Sequence, residues 1–189
     1  MKKIIALIIC LALMAGAALA EGEQKESLGT LNVNNAFDIR CRMPEGYKLS
    51  ILSSDGTSVL ALVSSEEAGK PQLSLSIAFN DMFTAEDGTA LRLNDVSDEG
   101  IEFIKNSFQD QMAEGVTFED GETALGTRLL IVKGAVDENT HAVIFYSVYQ
   151  SYEIELVATM GMDDDGDLTE EQTQMIIDFL TGLDFVPAA

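Results

Sequence analysis

Apolar and polar residues alternate strictly from Phe37 to Met43 (FDIRCRM), which predicts a half-buried strand over 37–43. Pro44-Glu45-Gly46-Tyr47 follows as turn chemistry, since proline fixes φ and glycine supplies a permissive backbone. Further strands are expected over 47–53, 58–64 and 72–79, separated by Asp55-Gly56 and by the break at 68–71. The period then changes. Ile101, Ile104, Phe108 and Met112 recur every three or four residues, predicting an amphipathic helix over 97–114 with Gly115 at its end. Strand patterns resume at 116–118, 128–135, 142–150 and 152–160, with turns at 120–121, 137–139 and near Ser151.

Two of these segments say more than their own conformation. Residues 142–149 (AVIFYSVY) are apolar on both alternating faces, so both faces of that strand must be covered. In the next strand Glu153 and Glu155 alternate with Ile154 and Leu156, which places it nearer a sheet edge. The last helix has the clearest boundaries. Thr169 and Gln172 form a capping box, and Gly182 marks the end. Burying its apolar face of Ile176, Ile177, Phe179, Leu180 and Leu183 contributes on the order of 10 kcal/mol before entropy is counted.

Strands, helix, strands, helix make an α+β domain, its sheet mainly antiparallel because tight turns join consecutive strands, with helices covering it. The turn Pro44-Glu45-Gly46-Tyr47, the central helix after a long connection, the late hairpin and the final FLTGLDF run (Phe179 to Phe185) together resemble the PsbP-like superfold. That superfold includes the photosystem II extrinsic subunit, the nuclear Ran-release factor and bacterial DcrB-type envelope proteins. The resemblance covers residues 37–185. It implies an antiparallel sheet flanked by helices as an α/β/α sandwich, in a non-enzymatic binding or accessory protein. The basic partner-binding surfaces of that family have no counterpart here.

Ahead of the domain, Lys2 and Lys3, an apolar run to Ala15 and the small residues Ala18-Leu19-Ala20 follow the order of a secretory signal, cleaved between Ala20 and Glu21. A retained anchor needs about 20 predominantly apolar residues; the run 4–20 is shorter and ends at Glu21. Lipid attachment at Cys10 is disfavoured by bulky Ile9 before it and by the apolar run continuing past it. The expected organisation is a signal over 1–20, a polar flexible leader over 21–36 and one domain over 37–186. The product is secreted or extracytoplasmic, with no further transmembrane segment.

Charge narrows the partners. Beyond Ala20 the chain carries all 32 acidic residues and nine of the 11 basic ones, a formal −23. Nucleic acid and anionic membrane surfaces require clustered Lys and Arg, which no segment offers. Cations, basic peptides, and protein or cell-envelope partners remain.

Candidate chemistry is sparse. In the acidic loop after residue 160, Asp163, Asp165 and Asp167 fall at the third, fifth and seventh places of a calcium loop, with Gly166 sixth. Gly161 and Gln172 stand where the two strong carboxylate ligands belong, so weak calcium binding is the alternative to a polar loop whose acids favour the coming helix. Cys41 is alone beyond the signal, forms no internal disulfide and shares its alternation with buried positions. His141 is the one histidine, and a role with Cys41 requires a proximity the sequence does not predict. The aromatic residues Phe145, Tyr146, Tyr149 and Tyr152 either line a ligand face or fill the core. No serine elbow, zinc-protease or phosphate-loop motif is present. The expectation is a non-enzymatic binding or accessory protein with no catalytic residue and no cofactor beyond possible calcium. An enzyme acting through scattered carboxylates is the third option, requiring a deep pocket that holds acids of raised pKa.

Overall fold

A computed structural model of the chain describes residues 28–67, 69–112, 114–136, 140–160 and 168–188. Within them the strands are β1 (Leu28–Val33), β2 (Phe37–Arg42), β3 (Tyr47–Ser54), β4 (Ser58–Ser65), β5 (Pro71–Phe79), β6 (Glu114–Glu122), β7 (Arg128–Ala135), β8 (His141–Tyr149), β9 (Tyr152–Met160) and β10 (Asp184–Pro187). Two helices, α1 (Asp98–Gln109) and α2 (Glu170–Thr181), interrupt them. A seven-stranded sheet has the order β3-β4-β5-β9-β8-β7-β6, and a small sheet has the order β1-β2-β10. Every pairing is antiparallel. The domain is α+β, as the turn chemistry requires.

The large sheet separates two cores. On one face Val143, Phe145 and Tyr149 of β8 pack with Phe37 and Ile39 of β2 and with Ile176 and Leu180 of α2. On the other face Ala142, Ile144, Tyr146 and Val148 pack with Ile101, Ile104 and Phe108 of α1. The strand that is apolar on both faces is thus covered on both. At the start of α2 the capping box is formed in full: the Thr169 hydroxyl accepts from the Gln172 N–H (3.2 Å), and Gln172 Oε1 accepts from the Thr169 N–H (2.8 Å). The turn at Pro44 closes with the Tyr47 N–H donating to the Pro44 carbonyl (3.1 Å), and Gly46 takes φ +80°.

Four expectations are corrected. The flexible leader placed over 21–36 does not reach that far, because residues 28–33 form β1 with Leu31 and Val33 buried. Asn34 and Asn35 turn the chain into β2 with φ of 50° and 59°, the left-handed conformation asparagine tolerates. The helix placed over 97–114 ends at Gln109, and the chain re-enters the sheet at Glu114. The turn expected at 120–121 lies inside β6, where Gly121 pairs with Leu129. A Cβ on Gly121 would come 3.1 Å from Ile131 Cδ1, so the residue serves close packing rather than a turn. The fourth correction concerns β9. It is not near an edge but sits between β5 and β8 in the interior of the sheet. Its two glutamates therefore do not face open water, and that displacement creates the site described next.

Candidate functional site

Period two decides which side chains of β8 and β9 meet. Ile154 and Leu156 enter the core on the α2 side, so Glu153 and Glu155 emerge on the α1 side, their Cα atoms about 6.6 Å apart by strand geometry. Register places Glu155 between Ser76 of β5 and Tyr146 of β8, and Glu153 between Ala78 and Val148. Beside the two glutamates the α1 face of β5 offers Ser74, Ser76 and Ala78, whereas β7 and β8 offer Leu130, Val132, Ile144 and Tyr146. The apolar stripe of α1 settles over the larger side chains, with Phe108 edge-on to Tyr146 at 5.7 Å. Over the small ones a cavity of about 480 Å³ remains.

The long connection between β5 and α1 forms its outer wall. Ser151, in the tight turn joining β8 to β9, holds that connection down: its hydroxyl donates to the Phe83 carbonyl (2.7 Å) and its N–H to the Leu91 carbonyl (3.1 Å). Met82 and Phe103 line the cavity yet remain 68% and 55% exposed, so they form its mouth. The walls are mainly apolar, from Phe83, Leu91, Val96, Ile104 and Phe108, with Asp95, Ser97, Ser107 and Gln111 among them.

The floor is polar and asymmetric. Both oxygens of Glu153 are engaged, Oε1 by the Tyr146 hydroxyl at 2.7 Å and Oε2 by Asn80 Nδ2 at 2.8 Å. Glu155 lacks such support. Its Oε1 is shielded from solvent and has no hydrogen-bond partner. Burial, and then the charge of Glu153, push its carboxyl up to about 7. Burial, followed by the same glutamate's charge and hydrogen bond, holds the Tyr146 hydroxyl far above the ordinary tyrosine value, and it donates to Glu153. Two carboxyls two residues apart thus differ in environment through their neighbours alone.

The sequence-predicted candidates lie elsewhere. Asp163, Asp165 and Asp167 fall outside the described residues. Among the described residues no group of three His, Cys, Asp or Glu side chains is placed to hold a metal. Cys41 is buried in β2, its single S–H within reach of Met43 Sδ (3.5 Å) and of the Gly29 carbonyl (3.6 Å). Burial raises its pKa and the Gly29 bond partly offsets the rise. His141 is exposed at the start of β8. The aromatic group divides by period: Phe145, Tyr149 and Tyr152 fill the α2-side core, and Tyr146 alone reaches the cavity. Sequence reasoning missed Glu153, Glu155, Asn80 and Gln111 as site residues. The i, i+2 acid pair opposite Ile154 and Leu156 was the available signal.

No family model and no curated protein sequence matches the chain. A solved structure similar to it is the solution structure of cyanobacterial PsbP (CyanoP) from Synechocystis sp. PCC 6803. The two share 12% identity over 88% of this chain and 97% of that one, with a TM-score of 0.47. No helix among the described residues is long and apolar enough to cross a membrane.

Proposed function

We propose that the chain is an exported, non-enzymatic accessory protein that works by binding, and that the cleft between α1 and the large sheet takes a small ligand. One observation carries the reading: a cavity of about 480 Å³, mainly apolar on its walls, with a few convergent polar groups on its floor. That size and polarity are typical of small-molecule sites, which span roughly 300–1,000 Å³. The amino-terminal pattern of charge, apolar run and small residues supports export.

Titration with the neutral fluorophore Nile red tests the cleft. Saturable one-to-one enhancement is expected, lost in Ser76→Phe, which places a phenyl ring on the floor. Enhancement that does not saturate, or that survives in a folded Ser76→Phe protein, overturns the reading.

A second reading, acid–base catalysis by the glutamate pair, is favoured by the Glu155 carboxyl standing near neutral beside Glu153. It predicts turnover that disappears in Glu155→Gln. The calcium alternative at Asp163, Asp165 and Asp167 rests on sequence spacing, and the geometry adds nothing to it.

A further inference from the structure

We propose that the ligand of this cleft is an organic cation, an ammonium group carried on an apolar body, whose N–H groups are accepted by Glu155 and Gln111. The inference rests on the cleft being a binding site and names the chemistry it selects.

The Tyr146 hydroxyl and one N–H of Asn80 Nδ2 are committed to Glu153, and the Ser76, Ser97 and Ser107 hydroxyls also line the cavity. Asp95, at the rim, accepts from the Arg92 N–H (2.9 Å). Two acceptors remain without partners, Glu155 Oε1 and Gln111 Oε1, both shielded and both on residues lining the cavity. The Gln111 amide cannot be turned round to remedy this. Its Nε2 donates to the Ser107 carbonyl at 2.8 Å, which fixes the oxygen as the free end. Among the described lining residues there is no Lys, Arg or His to answer them.

The cleft therefore holds two carboxyls with no positive charge to answer them, and its two shielded acceptors are unfavourable until a donor reaches them. An anionic ligand would meet Glu153 and Glu155 with like charge. A purely apolar ligand would displace water and leave both acceptors unsatisfied. A bare metal ion lacks three ligating groups among the described residues and gains nothing from apolar walls. An ammonium brings up to three donors and a charge. Phe103 and Phe108 add aromatic surface suited to the apolar body and to the cation itself.

Calorimetry at pH 8 with three probes of one shape tests the assignment: 2-phenylethylamine, 2-phenylethanol and phenylacetate. The amine is expected to bind about 10- to 100-fold more tightly than the alcohol, the range of one hydrogen bond to a charged group, and phenylacetate to bind not at all. Glu155→Gln should remove most of that preference while leaving the alcohol's affinity unchanged. Gln111→Leu, which leaves the carboxylates in place, should weaken the amine alone. Alcohol binding as tight as amine binding, or full amine affinity in Glu155→Gln, overturns the ammonium assignment. Binding of Nile red with none of the three probes bound overturns it too and leaves the cleft standing. Failure of Nile red as well overturns the cleft.

Discussion

Replacing Glu155 with glutamine should make the protein more stable at high pH and remove part of its pH dependence. In the unfolded chain the carboxyl titrates near its ordinary 4.5, and in the fold burial and the Glu153 charge hold it at about 7. Between those values the folded state binds the proton and the unfolded state does not. The group's contribution is therefore complete below about 4.5 and is lost as pH rises through about 7. Each tenfold change in proton affinity is worth about 1.4 kcal/mol, so the loss above neutral pH amounts to about 3 kcal/mol. The cleft opens to solvent, which makes that an upper value. The charged or titratable groups facing Glu155 are Glu153 on its own strand and Tyr146 on β8, with Asp95 at the rim. Lining residues from α1 and β5 are uncharged. Glutamine has no proton to lose. Urea denaturation of wild type and Glu155→Gln at matched pH separates this carboxyl from the acidic residues that do not face it, which cancel in the difference. Between pH 5 and pH 8 the variant should gain about 2 to 3 kcal/mol on wild type, with about half of the gain reached near pH 6. A difference that stays flat across that range, or that grows toward acid, refutes the account of Glu155 as a carboxyl held protonated by the fold.

Ile176 is fully buried in α2 beneath the large sheet, so Ile176→Ala should lower stability by about 2 to 5 kcal/mol at unchanged m in urea, and a loss under about 1 kcal/mol would contradict the packing. Cys41 is buried and its thiol pKa is raised by that burial, so labelling by Ellman's reagent should track unfolding; rapid labelling of the native protein would place it at the surface.

Most of the frame was legible because it is set locally. The Thr169–Gln172 box needs only four residues to define the start of α2. The two-sided apolar run of β8 needs only its own alternation to require cover on both faces. Where local signals were thin, the reading failed. In β1 only Leu31 and Val33 carry the alternation, amid Gly29, Asn32 and the asparagine turn, and pairing with β2 supplies what composition does not. The end of α1 was hidden because Met112 continues the apolar spacing after the helix has stopped and is itself buried.

The site was illegible for a different reason. Acid, apolar, acid, apolar is the same pattern whether the acids face water at a sheet edge or a cleft in its interior, and β9 alone cannot distinguish the two. The distinction lies in its neighbours. β8 demands cover on both faces, so the strand joined to it by a tight turn is drawn inward, and β5 completes the enclosure on the other side. On their shared α1 face β5 places Ser76 and Ala78 beside the two glutamates, and no side chain there is large enough to fill the space. A central strand bearing acids beside a strand bearing small residues on the same face leaves a depression with carboxylates on its floor. The interior position then makes partners necessary, because a shielded carboxylate without donors is unfavourable. Glu153 finds two, from Asn80 and Tyr146. Glu155, on the same face two residues further on, has one oxygen with none, and the fold meets that shortfall by keeping the carboxyl protonated up to about 7. A cationic donor entering the cleft would meet the same shortfall in another way, which is why proton and ligand should compete for a single oxygen.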